Sequence, residues 1–341
     1  MKVVGYQDIG GSPIIDLEGC LFCWVKGVQT YNTGSSSESA HVRLSFSYGC
    51  EVRDSYVHYG RSSASGANYG IYIDWVNSDH KIENNIARDN RHSIVFQGGG
   101  TGVAVLYNYM DDAYTDDLSY LGSARTSHGA HPYMNLFEGN IISHVTADDY
   151  WGSSSHFVFF RNWLWGDETG DTVPQLPTWG WYAVDIMPLQ TYYSFVGNVL
   201  GKSSGHVNWS NALLRTSSNS DCGNSGPVVY RYGCDSEGKY SGSSTSSTSI
   251  NHGNYDYKTK GVAYWEGGSD QAMRQSMYYS SKPSWYGGCV WPPFGPDLSG
   301  YVNTTPAQLR YQGQSCPSAD IPSPPKNIRT KQPSTISRGV L

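Results

Sequence analysis

One phrase recurs along residues 25–199: an apolar residue, two spacers, an asparagine and then more apolar chain. It reads Ile82-Glu-Asn-Asn85-Ile, Val105-Leu-Tyr-Asn108-Tyr, Phe137-Glu-Gly-Asn140-Ile, Phe159-Phe-Arg-Asn162-Trp and Phe195-Val-Gly-Asn198-Val. Val25-Lys-Gly-Val28 and Val52-Arg-Asp-Ser55-Tyr fit the same frame upstream. The starts fall at 25, 52, 82, 105, 137, 159 and 195. A preserved phrase with irregular steps predicts a solenoid whose coils carry loops of different length. Each coil would pair short parallel strands with the next, and the apolar position would point into a core running along the axis. Asparagine suits the bend between strands, because it tolerates left-handed backbone and its stacked amides can form a hydrogen-bonded ladder. A β-sandwich would instead show Asn-Gly hairpin signals, which are scarce here.

Composition agrees with a turn-rich β chain. There are 39 glycines, 14% aromatic residues and only 15% charged residues. The net charge of −6 and the lack of a basic stripe exclude nucleic acid as the main partner. No apolar run approaches 18 residues, so no membrane span is expected. The N-terminus lacks the charged-then-apolar layout of a signal peptide, and the composition favours a secreted protein whose leader has been removed. Of seven cysteines, Cys222 with Cys234 and Cys289 with Cys316 lie where a disulfide would close a loop. Cys23 and Cys50 precede equivalent strands and are expected to stack as small core residues. The Cys20/Cys23 spacing is that of half a zinc site, but no second pair follows.

Ser47-Tyr48-Gly49-Cys50-Glu51-Val52-Arg53-Asp54-Ser55-Tyr56, Tyr69-Gly70-Ile71-Tyr72, Ile82-Glu83-Asn84-Asn85-Ile86 and Val95-Phe96-Gln97-Gly98-Gly99 resemble the coils of bacterial pectate-lyase-like β-helix proteins. His252-Gly253-Asn254-Tyr255-Asp256-Tyr257, Ser280-Ser281-Lys282-Pro283-Ser284-Trp285 and Pro292-Pro293-Phe294-Gly295-Pro296-Asp297 resemble the closing segment of large secreted members. The expected fold is all-β, a single-stranded right-handed parallel β-helix with long loop excursions and an extended C-terminal segment. Residues 1–311 would form the β-helix domain, with coils over about 15–210, an irregular excursion over about 212–250 and a closing segment over about 251–311. Residues 312–341, rich in proline and serine, read as a linker or tail. The superfamily includes lyases, hydrolases, esterases, epimerases and non-catalytic adhesins and tailspikes, so the resemblance speaks to fold rather than activity.

Longer steps between phrases mark loops that could wall a cleft. The densest set of acids, imidazoles and indoles lies between residues 111 and 181. Equivalent positions on successive coils lie roughly 4.8 Å apart. Asp111/Asp112 and Asp148/Asp149 would then come within about 5–10 Å, a range spanning both glycosidase geometries. Asp112, Asp117, Asp148, Asp149 and His128 are the catalytic candidates. His131, Tyr150, Trp151, His156, Arg161, Trp165 and Trp181 are the substrate-binding candidates, the indoles as flat stacking surfaces for sugar rings. Asp111, Asp116, Asp167 and Glu168 could hold calcium, although no cofactor is required. The polygalacturonase pattern is not matched, since a clean Asn-x-Asp and the Arg-x-Lys are missing, and a pectate lyase would find only Arg125 and Arg161 as local bases.

The leading expectation is a secreted, monomeric polysaccharide-degrading enzyme, a glycoside hydrolase with paired carboxylates in a cleft on the β-helix face. An acidic groove favours a neutral glycan over a polyuronate. A calcium-dependent polysaccharide lyase and a non-catalytic glycan-binding adhesin or tailspike-like protein are the alternatives.

Overall fold

The computed structural model describes residues 2–4, 13–33, 39–60, 66–113, 122–170, 180–217, 222, 226–235, 242–264 and 271–317. Its strands stack into three ladders. The first runs through Trp24–Lys26, Glu51–Arg53, Lys81–Glu83, Ala104–Leu106, Tyr133–Glu138, Ser155–Phe160, Ser194–Val196 and the start of Ile250–Asp256. The second runs through Gln29–Tyr31, Tyr56–Gly60, Ile86–Asn90, Tyr109–Asp111, Ile141–Ile142, Trp163–Leu164, Val199–Leu200 and the end of Ile250–Asp256. The third joins Ile15–Glu18, Ala40–Ser45, Tyr69–Ile73, His92–Phe96, Ala124–Arg125, Val145–Ala147, Tyr182–Ile186 and Val228–Tyr232, with Leu213–Thr216 at its edge. Pairing between coils is parallel, and Gly261–Tyr264 turns back antiparallel on Ile250–Asp256. The chain is a parallel β-helix.

The repeated phrase sets the register of this stack. Val25, Val52, Ile82, Val105, Phe137, Phe159 and Phe195 lie opposite one another on successive coils of the first ladder. None is more than 6% exposed. Where the column turns aromatic, Phe137 stacks on Phe159 and Phe159 on Phe195 with ring centroids 4.8 Å apart, which is the strand spacing itself.

The asparagines bend the chain differently from expectation. The left-handed residue is the one before each asparagine, or before Val28 and Ser55 in the first two coils: Gly27, Asp54, Asn84, Tyr107, Gly139, Arg161, Gly197 and Gly253 all have φ between 51° and 68°. The asparagine supplies the ladder. In Asn108 the backbone N–H and the side-chain amide both donate to Asn140 Oδ1, at 2.8 and 3.0 Å, and the amide also donates to Ile82 O at 2.9 Å. The pattern repeats from Asn85 to Asn254. Asn254 is an eighth copy of the phrase that the sequence conceals, because the polar Asn251 stands at its apolar position.

Replacing Asn140 with Ala is expected to destabilise the fold by about 2–5 kcal/mol, since it strands the Asn108 donors and Val105 O in a dry interior. Ser55→Ala, near the ladder's end, should cost under about 1.5 kcal/mol. Chemical denaturation of both variants decides it, and equal costs would remove the ladder from the account.

Residues 212–250, expected as an excursion off the solenoid, instead supply two strands of the third ladder and a short helix, Ser243–Thr248. The closing segment does lie against the coils. Residues 271–317 cross the outside of the first two ladders: Met277 N–H donates to Glu138 at 2.7 Å, Tyr279 to Glu83, and Trp291 Nε1 to Tyr107 OH at 2.9 Å. Cys222–Cys234 and Cys289–Cys316 are disulfides as expected, and Cys20–Cys23 forms a third where core packing was expected. Cys50 is free and buried. Three disulfides point to an oxidising environment. No described helix is long and apolar enough to cross a membrane.

Candidate functional site

The third ladder aligns Arg125 with Thr146 and Thr146 with Asp185, and Asp185 with Arg231. Just beyond those strands the chain bends toward the first ladder, and there His128 and Asp148 meet on adjacent coils. Asp148 N–H donates to Ser127 O at 3.1 Å, which fixes the register. His128 Nδ1 lies 2.8 Å from Asp148 Oδ2, and Arg125 Nε lies 3.1 Å from the same oxygen. Tyr150 N–H donates to Asp148 Oδ1 at 3.1 Å. Burial alone would raise the Asp148 pKa, but Arg125 and then His128 outweigh it and hold the carboxyl below its ordinary range. Burial, followed by the Arg125 charge, pushes the His128 pKa down. Burial thus favours the neutral imidazole, whose Nδ1 faces both the Asp148 carboxylate and, at 3.1 Å, Arg125 Nη1.

Asp185 is buried one coil on, with Arg231 Nε 3.5 Å from its Oδ1. Burial raises its pKa, Arg231 opposes and Asp148 adds to the rise. Two carboxyls on one ladder are thus driven in opposite directions, the condition for an acid and a base to coexist.

The bend that holds His128 and Asp148 opens onto a row of exposed side chains. Tyr150 and Trp151 are 65% and 63% exposed, and Tyr150 stacks toward His128 with centroids 6.1 Å apart. His131 bonds Ser153 and Ser155 at 2.8 and 2.9 Å, His156 bonds Ser155 at 2.8 Å, and His156 stacks on Tyr192 at 4.8 Å. The row extends through Met134 to Phe22 on earlier coils. Phe22, Met134, His156 and Tyr192 all stand at equivalent positions with φ of 55–56°. Gly49, Asp79 and Gly102 take the same left-handed conformation at this position on the coils between, so the turn geometry imposes it whatever the residue. Across the bend, Gly98 lies so close under Trp75 that a Cβ would come 3.0 Å from the indole.

Of the expected site residues, His128, Asp148, His131, Tyr150, Trp151 and His156 come together here, with half-buried Asp149 between Asp148 and Tyr150. The others go elsewhere. Asp111 and Asp112 do not face Asp148 and Asp149. They end a strand of the second ladder, where Arg88 Nη2 lies 3.3 Å from Asp111 and contacts Asp112. Glu168 joins them, accepting from Asp112 N–H at 2.5 Å, and Thr169 Oγ1 donates to Asp112 at 2.9 Å. Arg161 is buried and grips Asp297 through two 2.8 Å bonds, so it pins the closing segment instead of binding substrate. Trp165 is buried against Trp163 and Tyr109, and Trp181 packs on the core. Asp167 turns to Lys202 at 3.2 Å and His206 at 3.3 Å. Asp116 and Asp117 lie outside the described residues.

Of the expected calcium ligands, Asp111 and Glu168 converge, joined by Asp112, while Asp167 turns away and Asp116 lies outside the described residues. Asp111, Asp112 and Glu168 offer oxygens within 4.8 Å of one another, but calcium takes about 6–8 oxygen ligands, and Arg88 already stands as the cation among them. These residues do not fit calcium. Burial, and then Asp111, push the Glu168 pKa well up. His144, its pKa lowered to about 4 chiefly by burial, donates Nδ1–H to Tyr182 O at 2.8 Å and turns Nε2 toward Glu168 at 3.5 Å. Glu168 Oε1 and His144 Nε2 thus face each other across 3.5 Å without a hydrogen bond between them.

Asp185 and Arg231 are the site residues that sequence reasoning missed. Their signal is a single charged residue inside each of two otherwise uncharged strand phrases, Tyr182-Ala-Val-Asp185-Ile and Val228-Val-Tyr-Arg231-Tyr. No protein-family model matches the chain, nor does any curated protein or solved structure.

Proposed function

We propose that the chain is a polysaccharide-degrading enzyme, a glycoside hydrolase whose site lies at the bend after the third ladder. The observation that carries this reading is the His128 imidazole set 2.8 Å from the Asp148 carboxylate at the edge of an exposed aromatic row. His128 Nε2 is the group that removes a proton from the attacking water, and Asp148 is its positioning residue. Asp185, whose pKa burial raises, is the proton source for the leaving oxygen in this reading. Tyr150, Trp151 and Tyr192 supply ring faces for sugars. Kinship with the pectate-lyase-like superfamily belongs to the same proposal, as does secretion.

A panel of neutral and acidic polysaccharides, incubated with and without chelator, tests it. New reducing ends without ultraviolet-absorbing unsaturated product, unaffected by chelator, are expected. Unsaturated product would replace the hydrolase with a lyase. Binding without either product would leave a glycan-binding protein.

A further inference from the structure

The first two coils hold a feature that the proposed activity does not use. The Sγ atoms of Cys20, Cys23 and Cys50 all lie within 4.8 Å of one another. Coil register builds the group. Glu51 N–H donates to Cys23 O and Tyr48 N–H to Cys20 O, both at 2.9 Å, which sets Cys50 beside Cys23 on the next coil. Cys50 is fully buried, and its thiol meets only Cys20 O at 3.4 Å and Tyr48 O at 3.6 Å. Cys20 and Cys23 are half-buried, so the group opens to solvent on their side. The sequence suggested half a zinc site with no second pair; the fold brings one further sulfur to it.

We infer that Cys20, Cys23 and Cys50 form a three-thiolate site for a soft monovalent cation, Cu(I), which the Cys20–Cys23 disulfide closes. Thiolates select soft ions, and the choice among them rests on the absence of a fourth donor among the described residues. His80 follows Cys50 in the same row, but its Nδ1 accepts Cys50 N–H at 3.0 Å and its Nε2 faces Asn77 Oδ1 at 3.0 Å. With that imidazole engaged, the described residues offer the site three ligands, whereas structural zinc takes four. Opening the site requires a dithiol reductant: its two thiols become a disulfide while Cys20 and Cys23 gain two electrons and two protons. Cu(I) binding then releases the three thiol protons to solvent. Among the three disulfides, Cys20–Cys23 alone has both partners half-buried; Cys234, Cys289 and Cys316 are buried.

The test uses the full chain, reduced anaerobically with dithiothreitol, desalted and titrated with Cu(I) against a chromophoric Cu(I) chelator. Alkylation and peptide mapping by mass spectrometry follow. One equivalent should be captured, with Cys20, Cys23 and Cys50 protected together from alkylation. Cys50→Ser should lower the affinity at least tenfold while circular dichroism stays unchanged. If that variant misfolds, the mapping on the unaltered chain still decides. Failure to compete with the chelator, protection at Cys222/Cys234 or Cys289/Cys316 instead, or unchanged affinity in a folded Cys50→Ser would each overturn the site.

Discussion

His128→Ala and Asp148→Asn are each expected to lower glycan hydrolysis by about 10²–10⁴-fold, and the double variant by scarcely more. The two side chains act as one unit. Asp148 sits 2.8 Å from His128 Nδ1 and, once amidated, offers a dipole where the imidazole needs a charge. Asp185→Asn should fail differently, retaining activity on substrates with a good leaving group and losing it on natural linkages, because an amide cannot deliver a proton. Activity should rise with pH as His128 deprotonates, at a value below its ordinary 6.5, and fall as Asp185 loses its proton above its ordinary 3.8. Full turnover in His128→Ala and Asp148→Asn, with folding confirmed, would remove this bend as the active site.

The legible and illegible parts of the site divide by ladder. The phrase ending in asparagine fixes the register of the first ladder and the start of the second, so the column from Val25 to Phe195 could be read directly. It says nothing of the third ladder, whose strands follow loops of irregular length. Aligning Asn108 with Asn140 therefore suggested that Asp112 faces Asp148, although Asp112 follows a second-ladder strand and Asp148 follows a third-ladder strand. Arg161 and Trp165 misled for a related reason. They flank the Asn162 bend, where polar and aromatic character looks like a surface, and the closing segment that buries Arg161 is more than a hundred residues away in sequence. Tyr150, Trp151 and His131 were legible because they lie in short polar stretches beyond any strand pattern.

Arg88→Met is expected to destabilise the fold by about 3–5 kcal/mol, the usual cost of leaving a buried charge without its partner. Arg88, Asp111, Asp112 and Glu168 are each fully buried, so no solvent screens the loss. Methionine keeps the hydrocarbon stem but leaves two carboxylates facing each other. Their folded pKa values then rise above those of the unfolded chain, so the variant binds extra protons on folding. Its deficit should be small below the carboxylate range and grow as pH rises through it. Glu168 gives the opposite control. Its pKa is already raised in the native fold, so its contribution is complete below the ordinary glutamate value and is lost as pH rises through the folded value. Glu168→Gln fixes the neutral form and should flatten that alkaline loss with little change at pH 5. Denaturation midpoints at pH 5 and pH 8 separate the two. A pH-independent deficit in Arg88→Met would mean that its packing on Tyr311, 4.0 Å from the ring centroid, matters more than its charge.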